Sequence, residues 1–146
     1  MDIRGKVVLV TGANRGLGKA FVTALLAAGA AKVYAGARDP ASVDIPGSTP
    51  IALDITDPAS VQRAAEQCGD VSVLINNAGW LKYGSLLAED SIENLQQHFE
   101  VNTFGTLRLS RAFAPILARH GGGALINILS VLSWLSPPGS GGYSTS

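Results

Sequence analysis

The sequence contains a single cysteine and has no net charge. Cys68 is the only cysteine among 146 residues, which excludes a disulfide framework within the chain and a zinc site built on cysteines. Eleven basic and eleven acidic residues cancel, so no charge excess marks a surface for nucleic acid or an anionic membrane. No apolar run approaches the roughly 18 residues of a membrane span. We therefore expect a cytoplasmic protein that binds neither nucleic acid nor membrane and holds no metal.

What the sequence does contain is a glycine-rich turn at residues 7–18, VVLVTGANRGLG. The spacing of Gly12, Gly16 and Gly18 lets the chain bend sharply off a strand, brings backbone N–H groups near a ligand and lets the next helix pack closely. A helix N-terminus carries about half a positive charge, so phosphate is the natural ligand. A nucleoside-triphosphate loop would need Gly-Lys-Ser/Thr, and here Gly18 is followed by Lys-Ala. The turn alone leaves phosphate binding and a purely structural bend open.

Strands and helices alternate along the chain, which predicts one domain over residues 1–146. We expect strands from residue 7 and at residues 32–37, 51–53, 71–76 and 124–129, and helices at 17–29, 57–68 and 90–119. Asp90 and Glu93 form a capping pair at the start of the long helix, and Pro115 predicts a kink or an early end. The pattern favours an α/β fold with a doubly wound, Rossmann-like parallel sheet.

Two arginines stand where a dinucleotide fold meets the adenosine ribose. Arg38 ends the second strand, and Arg15 lies inside the glycine turn. An acidic residue at the strand end would hydrogen-bond a ribose 2′-hydroxyl, whereas arginine offers a planar fork to a 2′-phosphate. The pair therefore favours NADP(H) over NAD(H). Two alternatives stay open: both arginines are solvated surface charges, or Asp39 serves a 2′-hydroxyl.

Several motifs resemble those of the short-chain dehydrogenase/reductase family. Residues 11–18, TGANRGLG, resemble the TGxxxGxG element of that family, and residues 76–79 resemble its NNAG. Ser130 and Tyr143 are 13 residues apart, which is similar to the serine-to-tyrosine spacing of the family's active site. Asn102, in the long helix, resembles the family's structural and catalytic asparagine. The elements occur in the family's order along the chain.

This resemblance implies a cofactor site whose residues follow the ends of the first four strands: Gly12, Asn14, Arg15, Gly16, Leu17, Gly18, Arg38, Asp54, Ile55, Asn77, Ala78 and Gly79. A carbonyl being reduced needs a hydride and a proton, and a tyrosine hydroxyl can supply the proton if its pKa of about 10 is lowered. In the family's chemistry Tyr143 would be the general acid/base, Ser130 would hydrogen-bond the substrate oxygen, and Asn102 would hold a water in a proton relay.

The expected function is NADP(H)-dependent interconversion of a carbonyl and an alcohol on a small substrate, by a full-length protein that forms homo-oligomers. Apolar residues just after the motifs favour an apolar substrate, with ordinary packing as the alternative: Trp80, Leu81, Tyr83, Trp134, Leu135 and Pro137.

The chain departs from the family pattern at its last residues. The family places a lysine four residues after the tyrosine, and here that position would follow Ser146. The resemblance also implies further strands, so the sheet is expected to be incomplete after the fifth strand. We therefore expect the sequence to be the first part of a longer protein with lysine after Ser146, and the 146 residues alone to give no turnover. The alternative is a catalytically silent dinucleotide-binding module. A methyltransferase on a similar fold is disfavoured, because its chemistry explains neither NNAG nor the Ser130–Tyr143 spacing.

Overall fold

A five-stranded parallel sheet forms the centre of the computed structural model, which describes residues 2–119 and 121–146. Its strands are β1 Val7–Thr11, β2 Lys32–Ala37, β3 Thr49–Ala52, β4 Val73–Asn76 and β5 Ala124–Asn127. The strand order is β3-β2-β1-β4-β5, and every neighbouring pair is parallel. The predicted doubly wound, Rossmann-like fold is therefore confirmed. Strand order reverses between β1 and β4, where such sheets open a crevice for ligands.

The helices are α1 Gly16–Ala27, α2 Pro58–Gln67, α3 Ser91–His98, α4 Thr106–Arg119 and the short α5 Gly141–Ser144. Short 3₁₀ turns occur at Pro40–Ser42 and Val131–Ser133. At the start of α2 the Asp57 carboxylate accepts hydrogen bonds from two backbone N–H groups and Pro58 takes the first position, so the sequence begins this helix sharply. Within the described residues, no helix is long and apolar enough to cross a bilayer.

The long helical stretch differs from its prediction in three ways. A π-helical turn at Phe99–Gly105 separates α3 from α4. The capping pair is wrong, because the Asp90 carboxylate contacts the Lys82 amine at 2.8 Å instead of capping the helix. The early end at Pro115 is also wrong, since α4 continues to Arg119. Pro115 is on the exposed side, and burial of the neighbouring apolar side chains outweighs a proline penalty of about 3 kcal/mol.

Apolar side chains cover both faces of the sheet. Along β1, Leu9 belongs to the cluster under α2 and α4, whereas Val8 and Val10 belong to the cluster under α1. This alternation follows from the two-residue period of a strand. β5 lies at the edge of the sheet, where Leu125 and Ile126 are 37% and 39% exposed. Packing is thus strongest around β1 and β4, which carry the glycine turn and the NNAG loop at their carboxyl ends.

Candidate functional site

The glycine turn joins β1 to α1 with almost no room for side chains. Gly12 and Gly16 have φ of +63° and +53°, the left-handed region that favours glycine. Gly18 has an ordinary φ, but a Cβ there would lie 2.2 Å from the Gly12 carbonyl oxygen. No side chain caps α1, and its first turn contains no acidic residue. The first N–H groups of α1 and their partial positive charge are therefore available to an anion beside the turn.

Hydrogen bonds fasten this turn to the loop after β4. The buried Thr11 hydroxyl accepts from the Asn77 N–H at 3.0 Å and the Ala78 N–H at 2.9 Å. In return, Asn77 Nδ2 donates to the Thr11 carbonyl at 2.9 Å and the Gly12 carbonyl at 3.3 Å. Sequence reasoning did not assign Thr11 a role. The available signal was a hydroxyl residue ending a buried strand directly before the turn.

A groove with a volume of about 770 Å³ lies at the carboxyl ends of β1 to β4. Its lining includes all twelve residues that the sequence assigned to cofactor binding. It also includes Asp39, the alternative acceptor for a 2′-hydroxyl, and Trp80, a candidate substrate contact. The remaining lining residues were not assigned from the sequence: Ala37, Ser42, Leu53, Thr56, Gln97 and Val101. The volume is typical of a site for a small organic ligand.

Arg15 and Arg38 line the groove and are exposed. Within residues 2–119 and 121–146, neither guanidinium forms a hydrogen bond or an ion pair. Asp39, the possible acceptor for a 2′-hydroxyl, is engaged locally, because its carboxylate accepts from the Ala41 N–H at 3.0 Å and caps the Pro40–Ser42 turn. The groove therefore offers two free cations at the end of β2 and the glycine turn, beside a carboxylate that already has a partner.

Two further contacts fix the groove walls. Asn14 Nδ2 donates to the Ser42 hydroxyl at 3.1 Å, which ties the glycine turn to the 3₁₀ turn after β2. Asp54 Oδ1 accepts from the Thr56 hydroxyl at 2.7 Å and the Thr56 N–H at 2.9 Å. The Thr56 hydroxyl lowers the pKa of Asp54 most, burial opposes it, and the Thr56 N–H and the charge of Arg38 lower it further. Asp54 is thus an ionised acceptor at neutral pH.

Asn102 lies in the π-helical turn and connects two distant segments. Its Oδ1 accepts from the Trp80 N–H at 2.8 Å, and its Nδ2 donates to the Trp80 carbonyl at 3.0 Å and to the Ser146 hydroxyl at 2.8 Å. The Thr103 hydroxyl also donates to the Ser146 carbonyl at 2.7 Å. Asn102 therefore joins the loop after β4 to the chain after α5. π-helical turns are frequent at functional sites.

Ser130 and Tyr143 follow β5. Ser130 precedes the Val131–Ser133 turn, and its hydroxyl accepts from the Leu132 N–H at 3.1 Å. It donates to no described residue, so its proton remains available. Tyr143 lies on α5, half-buried, and its hydroxyl has no hydrogen-bond partner in the described chain. α5 packs against the turn after Ser130, but no hydrogen bond links Ser130, Tyr143 and Asn102 to one another within that part of the chain.

Sequence reasoning missed His98, which is 1% exposed at the end of α3. Its ring centroid lies 4.5 Å from that of Trp80 and 6.1 Å from that of Tyr143. The signal was its position four residues before Asn102, since residues at that spacing share a helix face. No group of three or more metal-ligating side chains occurs among the described residues.

Comparisons with known proteins agree with this geometry. The family model described as short chain dehydrogenase matches residues 6–146. The short chain dehydrogenase pigC of Monascus ruber is 37% identical over 99% of this chain and 54% of its own length. The 1-deoxy-11-beta-hydroxypentalenate dehydrogenase of Streptomyces exfoliatus is 35% identical over 100% of this chain and 58% of its own length. The chain thus spans about half the length of these curated relatives.

Solved structures give the same result. A short chain dehydrogenase from Burkholderia cenocepacia J2315, crystallised in complex with NADP, matches with a TM-score of 0.93 and 43% identity over 99% of this chain and 62% of that one. The ligand-free aldohexose dehydrogenase of Thermoplasma acidophilum matches with a TM-score of 0.88 and 30% identity over 99% of this chain and 56% of that one. On the family model and these structures together, the chain belongs to the short-chain dehydrogenase family.

Proposed function

We propose that the protein is an oxidoreductase that uses NADP(H) to interconvert a carbonyl and an alcohol. The groove carries the proposal: its volume is about 770 Å³, and it is lined by a helix N-terminus without a side-chain cap and by two arginines that have no partner among the described residues. The fit is supported by Gly18, whose missing Cβ lets α1 approach the turn. The complex of the Burkholderia cenocepacia relative with NADP is consistent with it.

The residues divide between two ends of the cofactor. The N–H groups at the start of α1 suit a pyrophosphate, and Arg15 and Arg38 suit a 2′-phosphate. Asp54 is an acceptor for an amino group of the base. When bound, NADPH supplies the hydride. The remaining requirements, a proton and an orienting hydrogen bond at the substrate oxygen, fall to the protein.

The proposed catalytic roles of Ser130 and Tyr143 rest on hydroxyl groups that can still donate a proton. Ser130 uses its hydroxyl oxygen as an acceptor for Leu132, so it can still donate its proton to a substrate oxygen. The Tyr143 hydroxyl has no hydrogen-bond partner in the part of the chain that the structure describes, and it would be the proton donor or acceptor. Asn102 holds the backbone at Trp80 in place with its amide.

The substrate class is proposed from exposed apolar residues after β4 and β5. Tyr83, Trp134 and Leu135 are 61%, 91% and 61% exposed. They belong to two loops that are joined by a hydrogen bond from the Gly84 N–H to the Gly139 carbonyl at 2.9 Å. An apolar carbonyl compound or alcohol would cover such surface.

Fluorescence titration with NADPH and NADH tests the cofactor. A charged hydrogen bond contributes about 1.5–3 kcal/mol, so Arg38→Ala should weaken NADPH binding about 10- to 100-fold and leave NADH binding within about threefold. Lys19→Ala is the control, since Lys19 is an exposed cation near the turn that does not line the groove. Equal wild-type affinity for the two cofactors would overturn the choice of NADP(H).

Turnover is tested separately, with the full-length protein and a panel of carbonyl compounds, by following NADPH absorbance. Reduction of apolar carbonyls is expected. Tight NADPH binding without turnover of any carbonyl or alcohol would favour the silent binding module instead.

We also propose self-association through the exposed side of the π turn and α4. Phe104 and Leu107 are 46% and 52% exposed there, and an exposed apolar helix face is typical of an interface. Light scattering of the full-length protein tests this, and a monomer at all concentrations would contradict it.

A further inference from the structure

His98 is held in one tautomer by two backbone groups. Its Nδ1 lies 2.7 Å from the Asn94 carbonyl oxygen, which can only accept, so Nδ1 carries the hydrogen. Its Nε2 accepts from the Lys82 N–H at 3.2 Å. Both ring nitrogens of this buried side chain are therefore used, and the ring cannot rotate without breaking a hydrogen bond.

The same ring contacts the helix that carries Tyr143. The two rings meet nearly edge to face, at an interplanar angle of 66°. A Cβ on Gly142 would lie 3.1 Å from His98 Nδ1, so the α5 backbone lies close against the imidazole. The imidazole also contacts the indole of Trp80, with the ring centroids 4.5 Å apart. His98 therefore fills the space between the loop after β4 and α5.

His98 and Asn102 lie one helical turn apart, and both contact the loop after β4 and the C-terminal segment at residues 141–146. We call this pair the 98/102 clamp. Asn102 binds the backbone at Trp80 and the Ser146 hydroxyl. His98 binds the backbone at Lys82 and packs on Tyr143. The two side chains thus fix the loop after β4 at Trp80 and Lys82, and the C-terminal segment at Tyr143 on α5 and at Ser146 just after it.

We propose that His98 is a positioning residue for the reaction, which holds the Tyr143 ring and the backbone at residue 82 in the geometry that Asn102 also supports. This inference rests on the proposed function. The imidazole would have two roles that can be tested separately: Nε2 accepts the hydrogen bond from the Lys82 N–H, and the ring contacts Tyr143. A residue with only one of these properties should restore only one of them.

Two variants separate these roles, with Gln96→Ala, an exposed position on α3, as the control. His98→Phe keeps a ring but accepts no hydrogen bond. His98→Gln offers an acceptor near the position of Nε2. In the full-length protein, His98→Phe is expected to lower kcat at least about tenfold while the Kd for NADPH stays within about threefold, because the dinucleotide groove does not include residue 98.

Hydrogen exchange supplies a readout that does not depend on turnover. The Lys82 amide should exchange at least about tenfold faster in His98→Phe, and His98→Gln should restore most of its protection. Gly142→Ala is a further variant in case His98→Phe does not fold. Its added Cβ displaces α5, so kcat should fall while Lys82 keeps its protection.

The outcomes for the two proposals differ. Wild-type kcat and wild-type Lys82 exchange in His98→Phe would overturn the positioning role, as would an equal loss of NADPH affinity and kcat. A wild-type protein without turnover would defeat the proposed function. The clamp would then be judged by Lys82 exchange and by nuclear Overhauser contacts between the His98 and Tyr143 rings, whose absence would overturn it.

Discussion

Gly18→Ala tests whether the close approach of α1 to the glycine turn creates the dinucleotide site. A Cβ on Gly18 would lie 2.2 Å from the Gly12 carbonyl oxygen and 2.6 Å from Asn77 Nδ2. Ordinary van der Waals contact begins at 3.4 Å, so α1 and the turn must separate by about 1 Å. The nearest obstacle is a backbone carbonyl, which cannot rotate away as the end of a long side chain would.

The magnitude follows from two opposing terms. Overpacking costs about 1–3 kcal/mol, and the better helix propensity of alanine recovers about 0.5–1 kcal/mol. We expect the free energy of unfolding, measured by urea titration, to fall by about 1–2 kcal/mol. Because the N–H groups of α1 move with the helix, NADPH affinity measured by fluorescence should fall at least about tenfold, or about 1.4 kcal/mol.

Gly5→Ala is the matched control. Gly5 has φ of +73° with no atom within 4 Å of an added Cβ, and it precedes the amino end of β1, at the end of the strand away from the groove. Its substitution should cost about 1–2 kcal/mol of stability through backbone strain and leave NADPH binding unchanged. Wild-type NADPH affinity in Gly18→Ala, with stability at or above wild type, would refute the reasoning.

Two other substitutions address the supports of the groove and the opposite end of the sheet. Thr11→Val leaves two N–H groups of the NNAG loop unsatisfied and should lower the free energy of unfolding by about 2–4 kcal/mol in urea, whereas Thr11→Ser should cost under about 1 kcal/mol; equal losses would contradict this. Burial opposes ionisation of Asp70, but hydrogen bonds from Lys32 and Tyr34 lower its pKa in the folded protein. The ionised carboxylate therefore stabilises the fold at pH values above its unfolded pKa of about 3.9, and this contribution is lost as the pH falls through the lower folded pKa. Asp70→Asn should therefore lower the Tm at about pH 6, and the difference from wild type should shrink below about pH 4. The control is Asp44→Asn, which should leave the Tm unchanged at both pH values, because the Asp44 carboxylate has no hydrogen bond or ion pair in the described chain. A gap that stays constant with pH would argue against this role of Asp70.

The parallel sheet was predictable because its determinants are local. Each strand is a short apolar run, and each is followed by a turn and a helix, so burial on both faces could be inferred from composition alone. The boundaries were less accurate. The fourth strand was predicted from Val71, but the ladder begins at Val73, since Ser72 uses its hydroxyl and N–H on the Val7 backbone at the entrance to the strand.

The candidate cofactor site was predictable for a related reason. Its residues follow the ends of parallel strands, and those ends converge on one edge of the sheet. The wrong predictions, at Asp90 and Pro115, concern residues whose behaviour depends on contacts outside their own sequence neighbourhood. Nothing near Asp90 in sequence shows that the Lys82 amine takes its carboxylate. Nothing near Pro115 shows that Phe113, Ile116 and Leu117 are buried deeply enough to keep the helix intact.

The 98/102 clamp explains why the catalytic side was harder to predict than the cofactor side. Its hydrogen bonds to the loop after β4 run from side chains to backbone, at residues 80 and 82. Every residue except proline carries an N–H, so these contacts impose almost no sequence signature on the loop that is held. Only His98 and Asn102 need particular side chains, and their spacing of four residues is the one trace that the clamp leaves in the sequence. Any other residue at position 80 or 82 keeps the backbone N–H that donates to the clamp, whatever the size or charge of its side chain. Proline is therefore the one substitution there that removes this hydrogen bond.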